Sequence, residues 1–285
     1  MIGWRQGEWV SLPDGAEASA LVPGPSLFET FALRAGRIAC LADHLDRLAL
    51  GCPRLGLDPT RLMLGADAQV ARWSLPLGGL LGRNALTDAI VRLLVAPRGD
   101  GLATEWLTVR ALPPTPSAVD LYQLTLRRDA PEWLPRPKSG PWKNSSDAWR
   151  ELRTLADRPD AEGVQLDARG CLSEGTRSSL AWWDGDCWNF PAVETGRLPG
   201  TALAQLRSVM TQAGRPVRDV SWPGFPMNAV SLLVLRSTFD GGAVLARSYH
   251  ADGRLAWRPS DLQPEATRAL ALLAAWRSQR CISFA

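Results

Sequence analysis

At 285 residues, 46% hydrophobic and 21% charged, the chain has length for about two domains with full cores. Its formal charge of +3 comes from arginines scattered among acids, which excludes the basic arm of a nucleic-acid binder. The five cysteines (40, 52, 171, 187 and 281) lack metal-ligand spacing, and the two histidines, His44 and His250, are too few for a histidine-built metal site.

Reduced thiols in a cytoplasm fit this cysteine usage better than a disulfide framework. MIGWRQGEWV at the N-terminus has no apolar signal core, and no apolar run approaches the roughly 20 residues of a membrane span. A cytoplasmic protein with neither membrane nor nucleic-acid partner is expected. The 13 tryptophans are dispersed and form no repeat.

In chain order, LFETFALRAGRIACL (27–41) reads as two strands about the turn Arg34-Ala35-Gly36. Asp43 can cap the next helix, whose apolar face is Leu45, Leu48, Ala49 and Cys52. On that helix His44 and Arg47, three apart, share a face. A second helix is expected at 59–73. DAIVRLLVAP and EWLTVRALP read as strands flanking the turn RGDG. PPTPSA (113–118), with three prolines in six residues, can continue neither a helix nor a central strand and reads as a linker.

VDLYQLTLRR then reads as a strand, and NSSDAWRELRTLADR as a helix with Lys143 just before its start. GVQLDARGCLSEG forms a hairpin turning at Ala168-Arg169-Gly170, and SSLAWWDGDCWNFPAV a second turning at Asp184-Gly185. LPGTALAQLRSVMTQAG is a helix opened by Pro199-Gly200 and closed by Gly214, and PEATRALALLAAWRSQR a terminal amphipathic helix. Strands and helices mix without regular alternation. The expectation is an α+β protein with an N-terminal domain at 1–112, a linker at 113–120 and a C-terminal domain at 121–285.

Among 32 Lys and Arg only Lys138 and Lys143 are lysines. Arginine keeps its proton in a protein, whereas a desolvated lysine can lose it, so a lysine held at a helix lip is a candidate amine nucleophile. Glu174 ends a hairpin strand. The Gly200 helix start offers N–H groups to an anion. Singly, each has a plain explanation: a surface lysine, a solvated carboxylate, an ordinary helix start. Together they are the groups that pyridoxal phosphate needs, namely an amine for the Schiff base, a carboxylate for the pyridine nitrogen and a phosphate site.

The same stretches resemble the class IV aminotransferases, the fold-type IV pyridoxal phosphate enzymes, from about Phe28 to about Asn228. LFETFALRAGRIACLADHLDRL resembles the family's N-terminal signature, WKNSSDAWREL its lysine segment, DARGCLSEGTRSSL its glutamate signature, and GRLPGTAL the start of its phosphate-binding helix. The resemblance implies a two-domain fold like that of D-amino-acid aminotransferase. It implies Arg47 on the cofactor phosphate, Lys143 as Schiff-base lysine and Glu174 on the pyridine nitrogen. Gly200, Thr201 and Ala202 become backbone phosphate donors, with Asn228 beside them. A homodimer acting on a small amine or carboxylate substrate, without a metal, is implied too. The chain departs from the family at Ser179, where Asn is usual, at Ala202 and Leu203, where Thr and Arg are common, and at Met227, where Thr is frequent. Side-chain support for the phosphate is correspondingly thinner.

Within the family, Arg98-Gly99-Asp100 stands where D-amino-acid aminotransferases carry an Arg-x-His pair, leaving Arg98 as a candidate substrate-carboxylate ligand. Tyr122 and Tyr249 are the only tyrosines, and Ala148 stands where branched-chain enzymes carry one. Aminodeoxychorismate lyase asks for less, and Thr30 in the FET strand is a candidate to assist its elimination. That lyase is the expectation, with a branched-chain or D-amino-acid aminotransferase as alternative. A non-catalytic cofactor-binding relative is the other alternative, against which the retained Lys143 and Glu174 argue.

Overall fold

The computed structural model describes residues 1–13, 22, 24–98, 103–129, 134–140, 143–259 and 263–284. The RGDG turn expected at 98–101 lies outside the described residues from Gly99 onward.

The first half of the chain contains β1 (Ile2–Arg5), β2 (Glu8–Ser11), β3 (Ser26–Arg34), β4 (Arg37–Ala39), α1 (Leu41–Gly51), α2 (Ala66–Arg83), β5 (Ala89–Pro97) and β6 (Ala103–Ala111). Next come β7 (Ala118–Gln123), β8 (Ser139–Gly140), α3 (Lys143–Leu155), β9 (Ala161–Leu166), β10 (Leu172–Gly175), β11 (Ser179–Trp183) and β12 (Trp188–Pro191). The rest comprises α4 (Thr201–Gln212), β13 (Val217–Val220), β14 (Ser231–Leu235), β15 (Ala243–Ala251), β16 (Arg254–Trp257), α5 (Pro264–Ser278) and β17 (Cys281–Ser283).

These elements form two units. The first comprises Met1–Pro114, Pro137–Pro141 and Arg277–Ala285, the second Thr115–Arg136 and Trp142–Trp276. Two short strands therefore rejoin the first unit after the proline-rich stretch: β8 pairs with β3, and β17 with β4.

The first unit is an antiparallel sheet in the order β17-β4-β3-β5-β6-β1-β2, with β8 also on β3. The β3–β4 hairpin turns where the sequence predicts. Ala35 and Gly36 both have positive φ (46° and 70°), as a tight two-residue connection requires. Side chains alternate along β3: Leu27, Phe31 and Leu33 join a core with Leu45 and Leu48 of α1 and Trp73, Leu77 and Leu80 of α2. Each such leucine, fully buried, contributes about 1.5–3 kcal/mol.

Two helix boundaries differ from expectation. Asp43 does not cap α1. The N-cap is Cys40, in a left-handed conformation without a side-chain cap bond, and Asp43 lies in the first turn, where its charge complements the helix dipole. The helix expected at 59–73 is a short 3₁₀ turn at Thr60–Leu62 followed by α2, which continues through Pro76. Proline inside a helix costs about 3 kcal/mol, but burial of Trp73, Leu77 and Leu80 on either side of it outweighs that loss.

The second unit is a mixed sheet in the order β10-β9-β7-β15-β14-β11-β12-β13, with β16 on β15. The strand expected as VDLYQLTLRR ends at Gln123, although the N–H groups of Leu124 and Arg128 still donate to the carbonyls of Val164 and Leu166. Both faces are covered. Leu180 and Trp182 of β11 enter one core, while Ala181 and Trp183 enter another with α4 and α5. Trp182, Trp188 and, in the first unit, Trp73 are fully buried, so part of the tryptophan richness is core volume. Among the described residues no helix is long and apolar enough to cross a membrane.

Candidate active site

In the second unit the β9–β10 hairpin carries Glu174 to a buried position opposite Gln165, beside a register irregularity that begins at Leu172. One carboxylate oxygen, Oε2, accepts the Leu198 N–H at 3.0 Å. The other, Oε1, lies 2.9 Å from Arg128 Nε and 2.9 Å from Arg136 Nη2. A carboxylate away from water needs such partners, because an unpaired buried charge is strongly unfavourable. None of these three partners was singled out in the sequence. The pairs are separated by 24 to 46 positions, and only strand pairing and the loop geometry bring them together.

Just past Glu174, the chain turns through Gly175–Ser178 over Glu162, a fully buried carboxylate. Glu162 Oε1 accepts the N–H groups of Gly163 (3.0 Å) and Thr176 (2.9 Å) and the Thr176 hydroxyl, while Oε2 pairs with Arg236. Burial pushes the Glu162 carboxyl up, but Arg236 and Arg177 more than reverse this and leave it below the ordinary range. A Cβ at Gly175 would sit 2.2 Å from Ser178 Oγ and 3.1 Å from Glu162 Cδ, so a larger residue here must displace the Ser178 hydroxyl.

Leu198 leads directly into α4. Gly200 is its N-cap, with no side-chain cap bond, and a Cβ there would stand 2.2 Å from Ser179 Oγ. The Ser179 hydroxyl thus approaches the helix start as closely as only glycine permits. Thr201 and Ala202 are buried behind it. The first-turn N–H groups of a helix have no intrahelical acceptor, so an O–H and N–H donor set converges where the helix dipole is positive. Asn228 lies exposed in a turn next to the exposed Met227.

Lys143 is the first residue of α3, not the one before it. Its side chain is 89% exposed, with Nζ 2.6 Å from Asp147 Oδ2. Hydrogen bonds from Lys143 and Arg150 hold the Asp147 carboxyl below its usual range. The neighbouring Asn144 is buried, and its Oδ1 accepts Arg128 Nη1 at 2.8 Å. Within this unit, then, Glu174 is joined to the approach to α4 by a hydrogen bond and, through its ion pair with Arg128, to the first turn of α3, while the Lys143 amine itself projects into solvent.

Arg47, Thr30 and Arg98 belong to the first unit. Arg47 donates from Nε to Glu29 Oε1 and from Nη2 to Glu29 Oε2, both at 2.7 Å, and His44 Nδ1 lies 2.7 Å from Glu29 Oε2. Burial would raise the Glu29 carboxyl, yet Arg47 and His44 bring it down to about 2. Burial pushes His44 below its ordinary value despite Glu29. The sequence showed His44 and Arg47 on one face; Glu29, the group that joins them, was passed over. Thr30 alternates to the other face of β3, opposite Arg92 of β5, so it is not brought to Arg47. Arg98 is exposed at the end of β5 and donates to Gln6 Oε1 at 3.1 Å. Lys138, the other lysine, stacks over the Phe28 ring at 5.0 Å.

An antiparallel sheet and a mixed sheet, the second with a buried carboxylate beside a glycine-started helix, define an aminotransferase-type fold. It is shared with a branched-chain aminotransferase of Thermoproteus uzoniensis solved with norvaline (TM-score 0.75, 17% identity, 100% of this chain and 99% of that one). It is shared also with a protein of Legionella pneumophila designated a 4-amino-4-deoxychorismate lyase (TM-score 0.72, 18% identity, 88% and 91%). A third match is a hypothetical aminotransferase of Mycobacterium tuberculosis in its PLP-bound form (TM-score 0.70, 19% identity, 98% and 99%). The sequence matches the amino-transferase class IV family over residues 26–223, and the chain belongs to that family. A curated relative, the aminodeoxychorismate lyase of Bacillus subtilis strain 168, is 36% identical over 77 residues, 27% of this chain and 25% of that protein. The match thus spans a quarter of that relative's length.

Proposed function

We propose that the protein is a pyridoxal 5′-phosphate-dependent lyase of the 4-amino-4-deoxychorismate type, releasing pyruvate and leaving 4-aminobenzoate. The observation that carries the cofactor assignment is the buried Glu174, backed by Arg128 and Arg136 and joined through Leu198 to the start of α4. These groups fit a phosphorylated, protonated heterocycle. The N–H groups of Thr201 and Ala202 and the Ser179 hydroxyl suit the phosphate, whereas the Gly200 N–H, expected as a donor, is already given to Leu198 O at 2.8 Å; Glu174 suits a protonated ring nitrogen. When bound, pyridoxal phosphate supplies an electron sink for the bond broken next to the substrate amine.

The chain's own residues supply the rest. Lys143 provides the amine that attaches the cofactor and moves the proton at the adjacent carbon. Its ion pair with Asp147 is exposed to water and is given up at little cost. Glu174 keeps a proton on the ring nitrogen; the roles of Arg47 at the phosphate and Thr30 in the elimination rest on the family resemblance, Arg47 being paired with Glu29 through Nε and Nη2. The same resemblance offers Asn228 to the phosphate and Arg98 to a substrate carboxylate.

The lyase reading, over an aminotransferase with a tyrosine-lined pocket, rests on two features beside the local likeness to the Bacillus lyase. Ala148 is buried without a side chain to reach a substrate. Both tyrosines are engaged elsewhere: Tyr249 stacks on Phe225 at 3.7 Å, and Tyr122 on His250 at 4.9 Å. The test is incubation with enzymatically generated aminodeoxychorismate and no keto-acid acceptor. Pyruvate and 4-aminobenzoate are expected in equal amounts; strict dependence on an acceptor would place the protein among the aminotransferases. Light scattering tests the implied homodimer.

A further inference from the structure

Arg128 is 2% exposed and faces two parts of the candidate site at once. Its Nε lies 2.9 Å from Glu174 Oε1. Its Nη1 donates to Asn144 Oδ1 at 2.8 Å, Ser145 Oγ at 3.1 Å and Gln165 Oε1 at 3.3 Å. Asn144 and Ser145 are the two residues that follow Lys143 in the first turn of α3. Asn144 is fixed from its other side as well, its Nδ2 donating to Arg127 O at 2.9 Å and Asp129 Oδ1 at 3.1 Å. The backbone of Arg128 is tied to the sheet through its N–H to Leu166 O at 2.8 Å.

A guanidinium is planar, with five donors in a fixed fork, so its two edges cannot move independently. We propose that Arg128 is a positioning residue that locks Glu174 and the Lys143 end of α3 into one rigid assembly. The carboxylate for the ring nitrogen and the backbone that carries the amine then keep a fixed separation before any cofactor arrives. This rests on the pyridoxal phosphate reading for its purpose, and on the geometry alone for the coupling. Reactive groups need placement within about 0.5 Å, and that placement comes from neighbours whose own conformations are locked. Burying a cation in this spot opposes folding, which the ion pair with Glu174 on one edge and the hydrogen bonds from Nη1 on the other offset.

The coupling is tested by a double-mutant cycle between Asn144→Ala and Glu174→Gln, side chains that meet through Arg128. It is read first on unfolding of the cofactor-free protein and then on the dissociation constant for pyridoxal phosphate. Coupled sites should depart from additivity by about threefold or more in the equilibrium constants, while independent sites add to within about twofold. Repeating the cycle in an Arg128→Lys background should abolish the coupling, because a single ammonium cannot span both edges. Additivity in the otherwise wild-type chain overturns the inference, and that arm decides the matter even where Arg128→Lys does not fold. Coupling that survives in a folded Arg128→Lys protein also overturns it, by showing a different path, through Gln165. Failure of the wild-type protein to bind pyridoxal phosphate overturns the functional reading instead, and the cofactor-free cycle still decides whether Arg128 couples the two elements.

Discussion

Glu174 can be separated from its scaffold by exchanging charge without shape. Glu174→Gln keeps a hydrogen-bond acceptor for Leu198 but removes the negative charge shared by Arg128 and Arg136. Turnover should fall by on the order of 100- to 1000-fold, the scale for losing one aimed electrostatic contact, while reduction with borohydride should still fix a pyridoxyl group on Lys143. A label on Lys138 would remove Lys143 from its role. Arg47 behaves differently from what its place on a helix suggests. It forms a bidentate pair with the fully buried Glu29, so Arg47→Ala strands a carboxylate and should cost about 3–5 kcal/mol in urea unfolding, besides weakening cofactor retention. Unchanged stability would mean that Glu29 finds another partner. The spacing of His44 and Arg47 was legible because a helix repeats within four residues. Glu29 was not, since a charge in a strand shows its partner only once the sheet has packed against α1.

The start of α4 rests on a close approach between two elements. Gly200→Ala should crowd Ser179 Oγ, lower stability by about 1–3 kcal/mol and weaken cofactor retention. Adding Ser179→Ala leaves contacts of 3.4 Å to the residue-179 Cβ and 3.5 Å to the Leu203 Cβ and should restore stability, though not the hydroxyl. Failure of that rescue in thermal unfolding would place the strain elsewhere. Elements of this kind were read well where glycine or alternating apolar residues mark them, as in the β3–β4 turn, the two hairpins of the second unit and the Gly200 helix start. They were read poorly where packing overrides local preference. Pro76 stays inside α2 because Trp73, Leu77 and Leu80 are held by the core, and no local pattern reports that core.

For the molecule as a whole, pH reports the buried charges. Glu29 and Asp120 both lie at about 2, against ordinary values of 4.5 and 3.8; burial raises each, and their Arg partners with His44 or Ser248 lower them. Groups lowered in the folded state add stability that is complete above the ordinary value and disappears as pH falls toward the folded one. His44, also lowered, contributes above its ordinary 6.5 and opposes folding below it. Melting temperature should therefore be level between about pH 6.5 and 9, decline gently below that range, and fall steeply between about 4.5 and 2; above about 9 it should fall again, because burial raises the Cys40 and Cys52 thiols to about 11. His44→Gln should remove the gentle stage alone, and a profile that rises on acidification would contradict the pairing. The α+β character, the place of Glu174 on a hairpin strand and the helix start at Gly200 could be anticipated from the sequence. The return of β17 to β4 could not, because three residues carry too little pattern to announce a partner so far away.

That return has a consequence for synthesis. β4 ends at Ala39, yet the strand that covers it is translated only at Cys281–Ser283. At about 5–20 residues per second, the growing chain carries an open β4 edge for roughly 12 to 50 seconds, long after the rest of that sheet's N-terminal strands have left the ribosome. An uncovered edge is a template for pairing with another chain. Nascent chains stalled before Cys281 should therefore cross-link to one another through β4 more readily than chains released after Ser283, and crowding on the same messenger should increase the yield of such pairs.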